Sequence, residues 1–129
     1  MDLKSYNIKQ ENENNQQIAI DFDGVIHTNS KGYHDGTVYD PPSFGTEEAL
    51  KQLSQKYKIV IFTCKVKPDR PLVNGKSGKE LIEEWLSKYN LLHYIHDITC
   101  EKPRAVAYID DKGYRFNDWD TTLKFLDNA

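Results

Sequence analysis

Short apolar runs that alternate with stretches of helical period leave a chain few ways to fold. "QIAIDF", "KIVIFT" (58–63) and "AVAYID" (105–110) are three such runs, and "HDITC" is a weaker fourth. Residues apolar at successive positions mark a strand covered on both sides. Between the first two runs, "FGTEEALKQLSQKY" places Ala49, Leu50, Leu53 and Tyr57 on one helical face. After the second, "SGKELIEEWLSKYN" opens with Ser77 and Glu80 at capping-box spacing, and Leu81, Ile82, Trp85, Leu86 and Tyr89 fall on one stripe. "DTTLKFL" reads as a short final helix that Asp120 could cap. Strands alternating with helices imply βαβ units and a mostly parallel sheet. The expected fold class is α/β, a Rossmann-like three-layer α/β/α sandwich.

The 129 residues suit one core, with residues 17–129 as the domain and residues 1–16 as a polar tail. No apolar run approaches the roughly 20 residues that span a membrane, and "MDLKSYNIKQ" lacks the apolar core of a secretory signal. A cytoplasmic setting is the expectation. Cys64 and Cys100 have no disulfide or metal-site spacing and read as buried thiols kept reduced. A net charge of −3 argues against a broad nucleic-acid-coating surface.

In parallel sheets, ligands bind beyond the carboxyl ends of the strands. Those ends carry Asp21 and Asp23, Thr63, and Asp110 with Asp111. Carboxylates two positions apart on a strand point to one side and repel unless a cation or proton intervenes. Hard oxygen ligands of this kind suit Mg²⁺, which takes one or two carboxylates. Between the first strand and the first helix, "YHDGTVY" has the Asp-Gly signal of a β-hairpin, a flap that could cover the strand ends. Tyr33, His34 and Asp35 are its candidate contacts. The basic stretch with Lys65, Lys67, Arg70, Lys76 and Lys79 belongs at the same rim, as a solvated loop or an attractor of phosphorylated substrate. His93, His96, Trp85 and Trp119 read as surface or core positions.

"DFDGV", "IFT", the lysine of "EKPRA" and "YIDD", in that order, resemble the four motifs of the haloacid dehalogenase superfamily, mostly Mg²⁺-dependent phosphatases and phosphotransferases. The likeness covers residues 18 to 127. It implies that Asp21 is the nucleophile and Asp23 the general acid and base. Asp21, Asp23 (through its carbonyl), Asp110 and Asp111 would hold or orient Mg²⁺ and its water. Thr63 and Lys102 would bind the phosphoryl group. Gly24, Cys64 and Lys65 would complete the phosphate site. Relatives often have Thr where this chain has Val25, and Ala-Arg where it has Cys64-Lys65. An Asp at position 23 favours phosphate esters over halides, whose departure needs no acid. No segment is long enough for a cap domain, so the implied enzyme is capless, with an open site or a lid lent by a second copy. The expected substrate is a small phosphoester or a phosphorylated polymer end. The alternatives are a nucleic-acid 3′-phosphatase, a phosphotransferase, or a regulatory module that binds metal or phosphate without catalysis.

Overall fold

The structure, a computed structural model, describes residues 16–32, 35–110 and 114–127. The apolar runs form β1 (Gln17–Asp21), β2 (Lys58–Phe62), β3 (Ile95–Thr99) and β4 (Ala107–Asp110), followed by a two-residue β5 (Tyr114–Arg115). They make one parallel sheet in the order β3-β2-β1-β4-β5. Three α-helices accompany it among the described residues: α1 (Thr46–Ser54), α2 (Gly78–Lys88) and α3 (Trp119–Asp127). The fold is thus α/β with a parallel sheet, and β1 sits where the chain's connections change direction.

Register decides which side chains share a face. Ile18 pairs with Ile59 and Ala107, Ile20 with Ile61 and Ile109, and Ile61 with Ile98. These residues face one way and join Leu50, Leu53, Ile82, Trp85, Leu86 and Trp119 in a single core. All three described helices therefore lie against the same face. Right-handed crossovers from β1 to β2 and from β2 to β3 require this of α1 and α2.

The sandwich expectation would place helices on the other face as well, where Ala19 and Val60 are buried outside that core. The connection from β3 to β4, residues 100–106, contains no helix. It has to descend about 10 Å and cross three strand spacings, about 14 Å. Seven helical residues would cover only about 10 Å in all, so the segment runs as a strap. Its Lys102 ammonium lies over the rings of Phe62 and Tyr108, 5.6 and 4.3 Å from their centroids. Both rings are on the Ala19 face, and the Tyr108 hydroxyl donates to the Pro103 carbonyl.

Local chemistry sets the helix ends. Ser77 and Glu80 form the reciprocal capping box, with both bonds at 3.2 Å. The final helix begins earlier than its Thr-Thr-Leu stripe suggests, because Trp119 is its first residue and buries its ring in the core. Asp118, not Asp120, accepts the Thr121 N–H at 2.8 Å and is the cap. Tyr57 lies beyond the end of α1, packed against the core.

Two further expectations are corrected. Cys64 is exposed and Cys100 half-buried, because both fall just past strand ends on the rim; both are free. The insert after β1 has no strand among its described residues, and Tyr33 and His34, one arm of the expected hairpin, lie outside them. One antiparallel bridge, His27 with Pro42, closes its base. Asp35 turns back to accept the Thr37 N–H at 3.0 Å, and the prolines at 41 and 42 cannot donate to a ladder. Side chains meet the backbone instead: Lys31 N–H donates to the Tyr39 hydroxyl at 2.9 Å, and Ser30 N–H to Asp40 Oδ2 at 2.6 Å. These bonds from Ser30, hydroxyl and N–H, hold the Asp40 carboxyl below the usual range. Of the polar tail expected over residues 1–16, Gln16 is described and its carbonyl accepts the Lys58 N–H at 2.8 Å; the rest of that tail, and the contacts expected of Tyr33 and His34, lie outside the described residues. Among the described residues, no helix is long and apolar enough to cross a membrane.

Candidate active site

The parallel register brings Asp21 and Asp110 to the ends of neighbouring strands. Ile20 pairs with Ile109, so the next residues, Asp21 and Asp110, stand level and on one face. Asp21, Asp23, Gly24, Val25, Asp110, Arg115 and Phe116 line one open cleft of about 230 Å³. Larger hollows exist, such as a groove of about 470 Å³ between α1 and α3, but none of their linings gathers strand-end carboxylates. The cleft is where chemistry is concentrated.

Each carboxylate is held differently. Asp21 Oδ1 accepts the Phe22 N–H at 2.7 Å, fixing its rotamer at the strand tip. Asp110 is buried, and its Oδ2 lies 3.5 Å from the Lys102 ammonium. Asp23 meets two donors: Oδ1 lies 2.8 Å from His27 Nδ1, and Oδ2 lies 3.4 Å from Lys65 Nζ. Phe22 to His27 form a tight turn in which the Phe22 carbonyl accepts from Val25, Ile26 and His27. Gly24 takes φ 84° there, and a Cβ on it would meet nothing within 4 Å. The backbone angle, rather than crowding, calls for glycine at this position.

Thr63 follows β2 directly, beside this turn. It is buried, its N–H donates to the Thr99 carbonyl at 2.9 Å, and its hydroxyl oxygen accepts the Lys65 N–H at 3.3 Å. That second bond starts the 3₁₀ turn Cys64–Val66, which carries Lys65 back toward Asp23. Gly78 braces the turn from behind: a Cβ there would stand 1.9 Å from the Lys65 carbonyl oxygen. The N-terminus of α2 thus presses on the turn that aims Lys65.

The residues expected from sequence therefore sort themselves. Asp21, Asp23, Gly24 and Asp110 share the cleft, Lys65 and Lys102 each touch one of its carboxylates, and Thr63 and Cys64 stand at the adjoining strand end. Asp111 lies outside the described residues. Sequence reasoning missed two residues. Arg115 lines the cleft and, among the described residues, forms no ion pair; it follows the last acidic motif by four positions, too far for strand spacing to flag. His27 is fully buried against Asp23, and its only signal was a spacing of four across a turn.

Asp21 and Asp110 are two hard-oxygen donors of the kind that could take part in holding Mg²⁺. Among the described residues, no three acidic, histidine or cysteine side chains gather into a metal-holding group. Comparison with protein-family models, curated proteins and solved structures finds no match to this chain.

Proposed function

We propose that this protein is a Mg²⁺-dependent phosphohydrolase of the haloacid dehalogenase type. One observation carries the reading: Asp21, Asp23 and Asp110, from two strand ends and the turn between strand and flap, line a single cleft whose carboxylates are met by lysines. Asp21 and Asp110 side chains and the Asp23 carbonyl would hold Mg²⁺. When bound, the ion would offset the repulsion between anionic protein and anionic phosphate.

The chain's own groups then divide the work. An Asp21 oxygen attacks phosphorus as the ester P–O bond breaks, and Asp23 gives its proton to the departing oxygen. A water next attacks the aspartyl-phosphate, returning a proton to Asp23 and releasing inorganic phosphate with Asp21 restored. Lys65, Lys102 and the Thr63 hydroxyl supply fixed positive charge and hydrogen bonds at the phosphoryl oxygens, the help such a transfer chiefly needs. Arg115 faces the same space and would bind an anionic part of the substrate.

The test is phosphate release from p-nitrophenyl phosphate and from alkyl phosphoesters. Activity is expected with Mg²⁺, and its loss is expected in EDTA and in Asp21→Asn. Release that persists in either would overturn the mechanism. Comparing small esters with 3′-phosphorylated DNA ends separates the small-molecule reading from the polymer-end one.

A further inference from the structure

We propose that His27 is a positioning residue for proton transfer. It anchors Asp23 by Oδ1, so that Oδ2 is the oxygen that exchanges a proton with the leaving group. The inference rests on the phosphohydrolase reading above and assigns a role that the four motifs do not contain.

The hydrogen bonds fix the ring's tautomer. Asp40 N–H donates to His27 Nε2 at 3.0 Å. A backbone N–H can only donate, so Nε2 is the acceptor and the ring proton sits on Nδ1. Nδ1 is 2.8 Å from Asp23 Oδ1 and therefore donates to it. The contact is a hydrogen bond from a neutral imidazole rather than an ion pair. One Asp23 oxygen is thereby committed, and the other, 3.4 Å from Lys65 Nζ, is the one left for the cleft that Asp23 lines.

Packing holds the imidazole as firmly as its bonds do. The ring is fully buried, stacks on Phe22 at 5.5 Å and 19°, and meets Tyr39 and Trp85 edge-on at 5.0 and 5.8 Å. Trp85 also donates from Nε1 to the Asp40 carbonyl at 2.8 Å, so the residue that sets the tautomer is pinned from the helix side. A histidine could be buried here simply because both nitrogens find partners. That bland role and positioning make different predictions, because only positioning depends on how much the leaving group needs an acid.

The experiment compares His27→Phe, which refills the ring site without a donor, with His27→Asn, whose amide can donate to Asp23. The readout is kcat/KM, which covers steps up to departure of the leaving group, for glycerol phosphate and for p-nitrophenyl phosphate. General acids contribute about 10²–10⁴-fold, so His27→Phe is expected to lower kcat/KM for the alkyl ester by about 10–100-fold. The nitrophenyl ester, whose leaving group departs without a proton, should fall by less than about 3-fold, and His27→Asn should recover much of the loss. Equal losses on both esters would overturn positioning. Imidazole ¹⁵N shifts of the wild-type protein decide the geometry even if the variants do not fold: a protonated Nδ1 and bare Nε2 are expected, and the opposite tautomer refutes the proposal. A wild type inactive on both esters would refute the phosphohydrolase reading instead, while the ¹⁵N shifts still report the His27–Asp23 bond.

Discussion

Single residues at and behind the cleft divide into those that act on charge and those that hold others in place. Arg115 belongs to the first kind, and Arg115→Ala is expected to raise KM for a phosphoester several-fold more than it lowers kcat, read from steady-state kinetics. Gly78 belongs to the second kind. Gly78→Ala drives a methyl into the Lys65 carbonyl and must displace backbone, since no flexible side chain can give way. A loss of about 1–3 kcal/mol in urea unfolding is expected, together with loss of phosphate release as Lys65 moves. The acidic strand tips were legible because charge after an apolar run has few structural uses. Gly78 was not, because nothing in "KSGKE" announces that a neighbouring turn presses against it. His27 was hidden for a related reason: whether a histidine is buried beside a carboxylate depends on the flap's path, which composition does not set.

At the scale of elements, caps and turns govern what can be tested. Asp118→Ala removes the α3 cap and should lower the urea midpoint, whereas Asp118→Asn should change it little near neutral pH because Asn caps as well. The Thr121 N–H, chiefly, holds the Asp118 carboxyl below its usual range. A carboxyl lowered on folding adds stability above its unfolded value, about 3.9, and loses it as pH falls. The melting temperature should therefore drop below about pH 4, and Asp118→Asn should flatten that acid limb. The periodic stripes of α1 and α2 and the Ser77–Glu80 box were readable from sequence, since each is a local pattern with a local cause. The start of α3 was misjudged because a tryptophan at a helix's first position looks like loop packing. The flap's described part departs from the expected ladder: Asp35 turns back to Thr37, and side chains such as Tyr39 and Asp40 take the backbone bonds instead.

For the whole molecule, one face of one sheet carries the core. Ile20 is fully buried at its centre among residues from all three described helices. Ile20→Ala should cost about 2–5 kcal/mol, with fluorescence and circular dichroism still following a single unfolding transition. Strand alternation made the parallel sheet legible, but the absence of a helix between β3 and β4 turned on "CEKPRAV", where Pro103 and the lack of any helical stripe already mark a strap. Pairing of β4 with β1 joins residues some ninety positions apart (Ile18 with Ala107), whereas β1, β2 and β3 follow one another along the chain. Distant contacts of that span form slowly, because a long loop must close before they are rewarded. Asp110, Lys102 and Arg115 all arrive with this last pairing. A nascent or partly refolded chain would hold Asp21 and Asp23 ready yet lack their counterparts, so the proposed phosphate release should lag behind helix formation and mark the moment when β4 reaches β1.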